Sequence, residues 1–435
     1  MKRSGTRQAM KLSSAGHGGS TKGGQRLGCG GVRLFTGAAL LLAGALATGA
    51  TDWPGFRGFS QSHTGDTNLP LKWTEETKPA WRAALPGTGQ SSPIIFGANV
   101  FVTSVEGTNK ESLHLLCFDL ATGTERWRKQ WTSSAPEKDS DYISKAAPTP
   151  AADADRVYAL FESGDFIALT HDGKELWRRE LATDYGPFEG NHGQGSSPSL
   201  TGHGVVVLVD HKGQSFIASF DKATGVTQWN TDRETSSAWS TPLVVERGGR
   251  EEIIASASGS LIAYAPANGE RLWERDGFDG NNVPSPTTDG EHLLIGSRKK
   301  GANQAVRLDG RTVADGWLAA EATSAFGSPL IHRGRAYYVS DAGLVYCYRL
   351  ADGEPLWDGR IGDSTWASPL AAGERIYFFG KNGRTTVIAP ADELAVLAEN
   401  ALSVDPKDRV YGYAVADGRL VFRLGSELVC LAGKL

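Results

Sequence analysis

The chain is poor in the residues that build covalent or metal-held folds. Its 435 residues include four cysteines and two methionines. No Cys-x-x-Cys or His-x-x-x-His pair occurs, so a zinc site has no ligand spacing to rest on. Gly-x-Ser-x-Gly is also missing: GQGSSPSL around Ser196 has the residue types of a nucleophile elbow without its spacing. The longest apolar run is LFTGAALLLAGALA, too short and glycine-rich to read as a membrane span.

Charge of one sign is absent from one stretch. Residues 1–50 carry Lys2, Arg3, Arg7, Lys11, Lys22, Arg26 and Arg33 and no acid, followed by that apolar run. This order predicts an export signal with cleavage near Ala47 or Ala50. Cys29 precedes the run rather than following it, the wrong order for a lipid anchor. Without the leader, 38 basic residues face 49 acidic ones, a net charge near −11. An acidic, exported (periplasmic, cell-envelope or secreted) chain with no transmembrane span is expected, with nucleic acid excluded as a partner. The one dense basic run, Arg298-Lys299-Lys300, reads as a solvated turn.

What is present is a repeat. A small polar residue and a proline open each unit, at Pro93, Pro150, Pro198, Pro242, Pro286, Pro329 and Pro369, and Tyr413 takes the proline place in an eighth copy. Successive anchors lie 40 to 57 residues apart. The second half of a unit ends in a Gly turn with Trp four residues later, as in FDLATGTERW (Gly123, Trp127), LTHDGKELW (Trp177), FDKATGVTQW (Trp229), YAPANGERLW (Trp273) and RLADGEPLW (Trp357). In the fifth copy Ala314 occupies the Trp place and in the seventh Leu397 does. Such a unit cannot bury its apolar face alone. The eighth copy stops at VCLAGKL, while KPAWRAAL near the front supplies an orphan strand with Trp81. The expectation is an all-β, eight-bladed β-propeller of four-stranded blades, its ring closed by that N-terminal strand completing the last blade, so that no sheet edge stays open.

The Asp-x-x-Thr-Gly-x-x-x-Trp signature in FDLATGTERW and FDKATGVTQW resembles the tryptophan-docking repeat of PQQ-like propellers, the quinoprotein dehydrogenases and the BamB-type proteins. The resemblance runs from about Leu71 to the C-terminus and implies blade docking by Trp81, Trp127, Trp177, Trp229, Trp273 and Trp357. It divides the chain into a leader (1–50), an N-terminal strap (51–72) with Trp53 and Phe56 as anchors, and the propeller (73–435). For the dehydrogenases it implies bound pyrroloquinoline quinone, calcium, a catalytic carboxylate and a vicinal cysteine pair; no two cysteines are adjacent here. The BamB-type proteins are anchored through a lipobox, which this sequence lacks. Cys117, Cys347 and Cys430 occupy one position of their respective blades and are expected as free, buried thiols.

Two insertions interrupt the repeat. The distance from the Trp place to the next opening residue rises from 12 or 13 to 23 after Trp127 and 21 after Trp177. With the enlarged links SVEGTNKES and SRKKGANQ they are expected on one face, where loops on a rigid scaffold carry binding. Asp139, Asp141, Tyr142, Lys145, Tyr185, Phe188, Glu189, Asn191, His192 and Gln194, with Trp239, Asn281, Asn282 and Trp366 just before later anchors, form the candidate partner surface around the channel mouth. The function expected is a non-enzymatic, monomeric scaffold for a protein or peptide partner, without cofactor, catalytic residue or metal. The alternatives are a quinone-dependent oxidoreductase or degenerate quinone binder with calcium, and a carbohydrate-binding propeller.

Overall fold

The computed structural model describes residues 52–59, 61–138, 144–190, 192–310 and 312–433; the leader and its cleavage site, with Asp139, Asp141, Tyr142 and Asn191, lie outside them. Among the described residues the strands form eight sheets, in chain order 94–132, 151–180, 199–233, 243–278, 287–319, 330–360, 370–401 and 410–432. These are blades 1 to 8. Neighbouring strands within each are antiparallel hairpin partners. Blade 8 has three strands of its own, and Trp81–Ala84 supplies the fourth, pairing Trp81 with Cys430 and Ala84 with Glu427. The split last unit therefore closes the ring as the sequence predicts. Blade 7 has a fifth strand that the repeat does not announce, His63–Thr64, lying parallel to Leu370–Ala372.

Burial follows position in the blade. Val205–Val209 and Ser215–Phe220 of blade 3 are buried on both faces, because the middle of each sheet is sandwiched between neighbouring blades. The outer strand Glu125–Thr132 is largely exposed and carries five charged or amide side chains. Apolar clusters span adjacent blades: Leu115, Cys117 and Phe101 of blade 1 meet Val157, Ile167 and Leu169 of blade 2.

The docking device is a tryptophan of one blade laid on the glycine turn of the next. Trp81, Trp127, Trp177 and Trp229 donate their indole N–H groups to the carbonyls of Leu120, His171, Lys222 and Pro266, each in the following blade, at 2.8–3.1 Å. Trp357 does the same to Ala391 at 3.1 Å. The turn must be glycine for two reasons. Gly225 has φ +69°, and a Cβ there would lie 2.6 Å from Trp177.

The fifth blade corrects the sequence reading. Ala314 pairs with Arg307, whereas Trp317 sits opposite Ala305, the register that Trp273 has opposite Ala263. Trp317 donates to Leu350 O at 2.7 Å and covers Gly353. The outer hairpins of blades 1, 3 and 4 carry a bulge at the same place with one pair beyond it, whereas in blade 5 the pairing continues through Arg307 with Ala314, Leu308 with Val313 and Asp309 with Thr312, which moves the tryptophan three residues downstream of the expected place. Cys117, Cys347 and Cys430 are free and buried, and burial pushes each thiol up to about 12.

Candidate functional site

The small polar residue before each anchor proline builds a ring around the axis. The backbone N–H of Ser92 donates to Thr149 Oγ1 (3.1 Å), Thr149 to Ser197 Oγ (3.0 Å), Ser197 to Thr241 Oγ1 (3.1 Å) and Thr241 to Ser285 Oγ (2.9 Å). Ser285 then donates to Ser328 Oγ and Ser328 to Ser368 Oγ, both at 3.0 Å. Each hydroxyl thereby satisfies a buried donor of the preceding blade, which a strand at a converging axis cannot pair by ordinary laddering. Blade 8 breaks the chain with Gly412, where a Cβ would come 2.0 Å from Ser92 Oγ.

Above this girdle lies a cavity of about 740 Å³, within the range of ordinary ligand sites. Its wall is a second ring. Gln90, Ala147, Gly195, Trp239, Val283, Phe326 and Trp366 each stand three residues before an anchor proline, and all line it. Tyr411 completes the circle from blade 8. Phe326, Trp366 and Tyr411 form a ladder with ring centroids 6.0 and 5.6 Å apart, and Lys381 Nζ lies 5.6 Å from the Trp366 centroid.

The floor is the N-terminal segment. Trp53 is buried and exchanges two 2.8 Å backbone hydrogen bonds with Ile95 of blade 1, Pro54 O accepts from Ala152 N of blade 2 (2.7 Å), and Ser62 O accepts from Ala371 N of blade 7 (2.8 Å). Arg57, Phe59, Gln61 and Ser62 all adopt positive φ, a costly run for side-chain-bearing residues. That run brings Arg57 to the axis, where only 7 % of it is exposed. Its guanidinium donates to Ser62 Oγ (3.0 Å), Thr287 Oγ1 (2.6 Å) and the carbonyls of Gln61 (3.2 Å), Pro286 (3.3 Å) and Pro329 (3.1 Å). Every partner is neutral, and burial pulls the guanidinium down to about 10 against the opposing field of Tyr413. Phe56 lies beside it on the floor.

The two insertions meet at the mouth. Ser144 donates through its N–H to His192 O (2.9 Å) and through its hydroxyl to Gln194 O (2.6 Å). Lys145 exchanges backbone-level hydrogen bonds with Gln90, its O accepting from Gln90 N at 2.8 Å and its N donating to Gln90 Oε1 at 3.0 Å. The enlarged link of blade 1 holds them from beneath: Lys110 Nζ donates to Ser144 O (2.9 Å) and pairs with buried Glu162 (3.2 Å), whose carboxyl desolvation pushes up despite that partner. Arg298, from the enlarged link of blade 5, also lines the cavity. His192 and Trp239 meet edge to face at 5.6 Å, and Trp239 Nε1 donates to Gly193 O (2.8 Å).

Of the described candidates, His192, Trp239 and Trp366 line the cavity. Gln194 is buried behind it, its amide donating to Leu208 O at 2.7 Å. Tyr185 ends a short helix, Leu181–Tyr185, and packs between blades 2 and 3, with its hydroxyl 2.8 Å from Thr227 Oγ1 and its ring 4.6 Å from Phe216. Phe188 packs there too. Asn282 supports the Trp239 backbone through its carbonyl (2.7 Å) and faces a smaller neighbouring cavity, and Asn281 is wholly buried on Ser256 and Ser260. Arg57, Gln90, Arg298, Phe326 and Tyr411 are additions of the structure. The offset of three from each proline would have revealed Gln90 and Phe326, whereas Arg57 carries no local signal.

No Asp or Glu appears among the described lining residues, and no group of three His, Cys, Asp or Glu among the described residues could hold a metal ion. Calcium takes six to eight oxygen ligands that include carboxylates. The described lining offers calcium no carboxylate.

The sequence model of the family described as outer membrane protein assembly factor BamB matches residues 63–194, 189–359 and 299–427. No curated protein is matched by sequence. Among solved structures, BamB from Moraxella catarrhalis superposes with a TM-score of 0.60 at 15% identity, covering 81% of this chain and 96% of that one. A europium-containing methanol dehydrogenase gives 0.62 at 13% identity, covering 86% and 90%. A quinohemoprotein alcohol dehydrogenase from Pseudomonas putida gives 0.61 at 11%, covering 88% and 81%. At these identities the structural likenesses establish the fold, eight radial sheets about a common axis. The family match spans almost the whole of the propeller, and the chain belongs to the BamB family of PQQ-like β-propellers.

Proposed function

We propose that this protein is an exported, non-enzymatic scaffold of the cell envelope that holds a protein or peptide partner on the face carrying the insertions. The observation that supports this reading most is the mouth itself: both insertions, the enlarged links of blades 1 and 5, and the Phe326–Trp366–Tyr411 ladder converge on one opening. Aromatic side chains around an open concavity are the usual anchors of protein recognition. Family membership is consistent with an envelope role, and no helix among the described residues is long and apolar enough to cross a membrane.

The test is site-specific photo-crosslinking in cells, with the probe at Phe326 or at Val226, which is 61 % exposed on a blade's outer turn. A discrete adduct from Phe326 and none from Val226 is expected; the same adducts from both positions, or none, would remove the support for this face. The oxidoreductase reading has its own check. Titration with pyrroloquinoline quinone, with and without calcium, should leave absorbance and thermal stability unchanged. A saturable, calcium-dependent stabilisation of several degrees, as ligand linkage requires, would replace the scaffold by a quinoprotein.

A further inference from the structure

The cavity has a charge character opposite to that of the chain. The residues after the leader carry about eleven more acids than bases, yet no carboxylate lines the funnel among the described residues, while Arg57 and Arg298 do. Lys381 stands over Trp366 at the rim. The paired acids near the mouth are Glu162, buried behind Ser144 and Ala146 on Lys110 (3.2 Å), and Asp341, 3.7 Å from the exposed Arg298.

Arg57 is the decisive group. A buried guanidinium is normally matched by a carboxylate, since charge removed from water is costly without an opposite partner. Here five hydrogen bonds to hydroxyls and carbonyls orient the group but leave its charge unmatched. A second buried guanidinium, Arg423, stands behind the wall near Tyr411. It is held by the carbonyls of Thr103 (2.9 Å) and Gly425 (2.7 and 3.0 Å), and burial lowers it to about 9 with Asp408 opposing. Arg57, with no carboxylate among its partners, and Arg423 behind the wall, partly offset by Asp408, bias the potential of the funnel toward positive. The strained strap run that places Arg57 at the axis is difficult to explain as packing alone, because a neutral side chain would plug the channel without the desolvation cost.

Building on the scaffold reading, we propose that the funnel receives an acidic peptide segment of the partner, its aromatic or apolar side chains on the Phe326–Trp366–Tyr411 ladder and a carboxylate directed at Arg57, without calcium. The ladder follows the wall from blade 6 to blade 8 and Arg57 lines the floor of the same cavity, so an extended segment entering the mouth can meet both features at once. Charge complementarity selects acidic over basic segments, and the net negative charge of the chain disfavours non-specific attachment of the same segment elsewhere.

The test uses the leaderless chain and two synthetic hexapeptides, acetyl-Gly-Ser-Gly-Phe-Asp-Asp with a free carboxylate and acetyl-Gly-Ser-Gly-Phe-Asn-Asn amide, titrated by tryptophan fluorescence and calorimetry at low salt. Saturable binding of the acid at least tenfold tighter than the amide is expected, weakening as salt is raised. Arg298→Glu, on an exposed side chain, should lower acid affinity at least fivefold while leaving thermal stability in place. Arg57→Gln should abolish the acid preference; because this variant loses buried hydrogen bonds, Arg298→Glu and Trp366→Ala keep the test decisive if it does not fold. Equal affinities for the two peptides, no saturable binding, or an unaltered Arg298→Glu protein would each overturn the proposal. Persistent Phe326 adducts alongside failed acid binding would leave the scaffold reading standing. Acid binding together with a calcium-dependent quinone response would do the reverse.

Discussion

The joint between blades 3 and 4 and the joint between blades 4 and 5 solve the same problem differently. At the first, Trp229 lies on Gly269 and donates to Pro266 O, so an apolar ring fills the seam and its one polar atom is satisfied. At the second, the turn glycine Gly310 has open space above it, and Trp273 turns its indole N–H to Glu252 within its own blade (3.0 Å). Glu252 is fully buried and also receives Arg247 (3.2 Å) and Arg250, while Arg247 stacks on Trp273 and reaches across to Thr312 O of blade 5 (2.8 Å). A ring on a glycine needs only shape. The ionic cluster needs each member in place, because a buried charge deprived of its partner is strongly unfavourable. The difference teaches that a propeller seam tolerates loss of its repeat signature where a polar network reaches across instead.

Breaking the ionic seam should have the largest effect. Glu252→Ala strands Arg247 beside Trp273 and should cost about 3–5 kcal/mol, read as a lower denaturation midpoint; a loss below 1 kcal/mol would mean the cluster is not what joins these blades. Next comes a matched pair of glycine substitutions. Gly225→Ala combines left-handed strain with a Cβ driven into Trp177 and should cost about 2–4 kcal/mol, whereas Gly310→Ala, with φ +53° and no neighbour within 4 Å, should cost about 1 kcal/mol. Equal costs would show that strain rather than docking sets the glycine. The smallest effect belongs to Trp317→Phe, which keeps a ring over Gly353 and forfeits the bond to Leu350 O, about 1 kcal/mol.

Legibility differed by distance along the chain. The blade count, the strand from Trp81 that closes the ring and the buried thiols were readable because each depends on a repeated local pattern. The face of the insertions was readable from spacing, and the contacts of Ser144 with His192 and Gln194 bring the two together. Tyr185 was drawn to the mouth by its place in the second insertion, and Asn281 by its place just before the anchor of blade 5. In the fold Tyr185 answers to Phe216 and Thr227, and Asn281 to buried acceptors of blade 4, because a polar or aromatic tip is held by whichever partner lies within hydrogen-bond reach. Ala314 was misassigned since the outer hairpin of blade 5 runs two pairs further beyond its bulge than that of blade 4 before it turns, and a count from the glycine does not register that extension.

By itself the sequence determined a circle of eight sheets, since a period of four short strands with a glycine turn and a tryptophan can bury its apolar faces only against copies of itself. The tertiary structure alone decided the site. The residues three before each proline lie some 40 to 57 positions apart in the chain, and they share one wall only because the blades converge. Arg57 reaches the axis only because the strap crosses several blades, and the neutral surroundings that leave its charge unmatched come from residues more than 200 positions away.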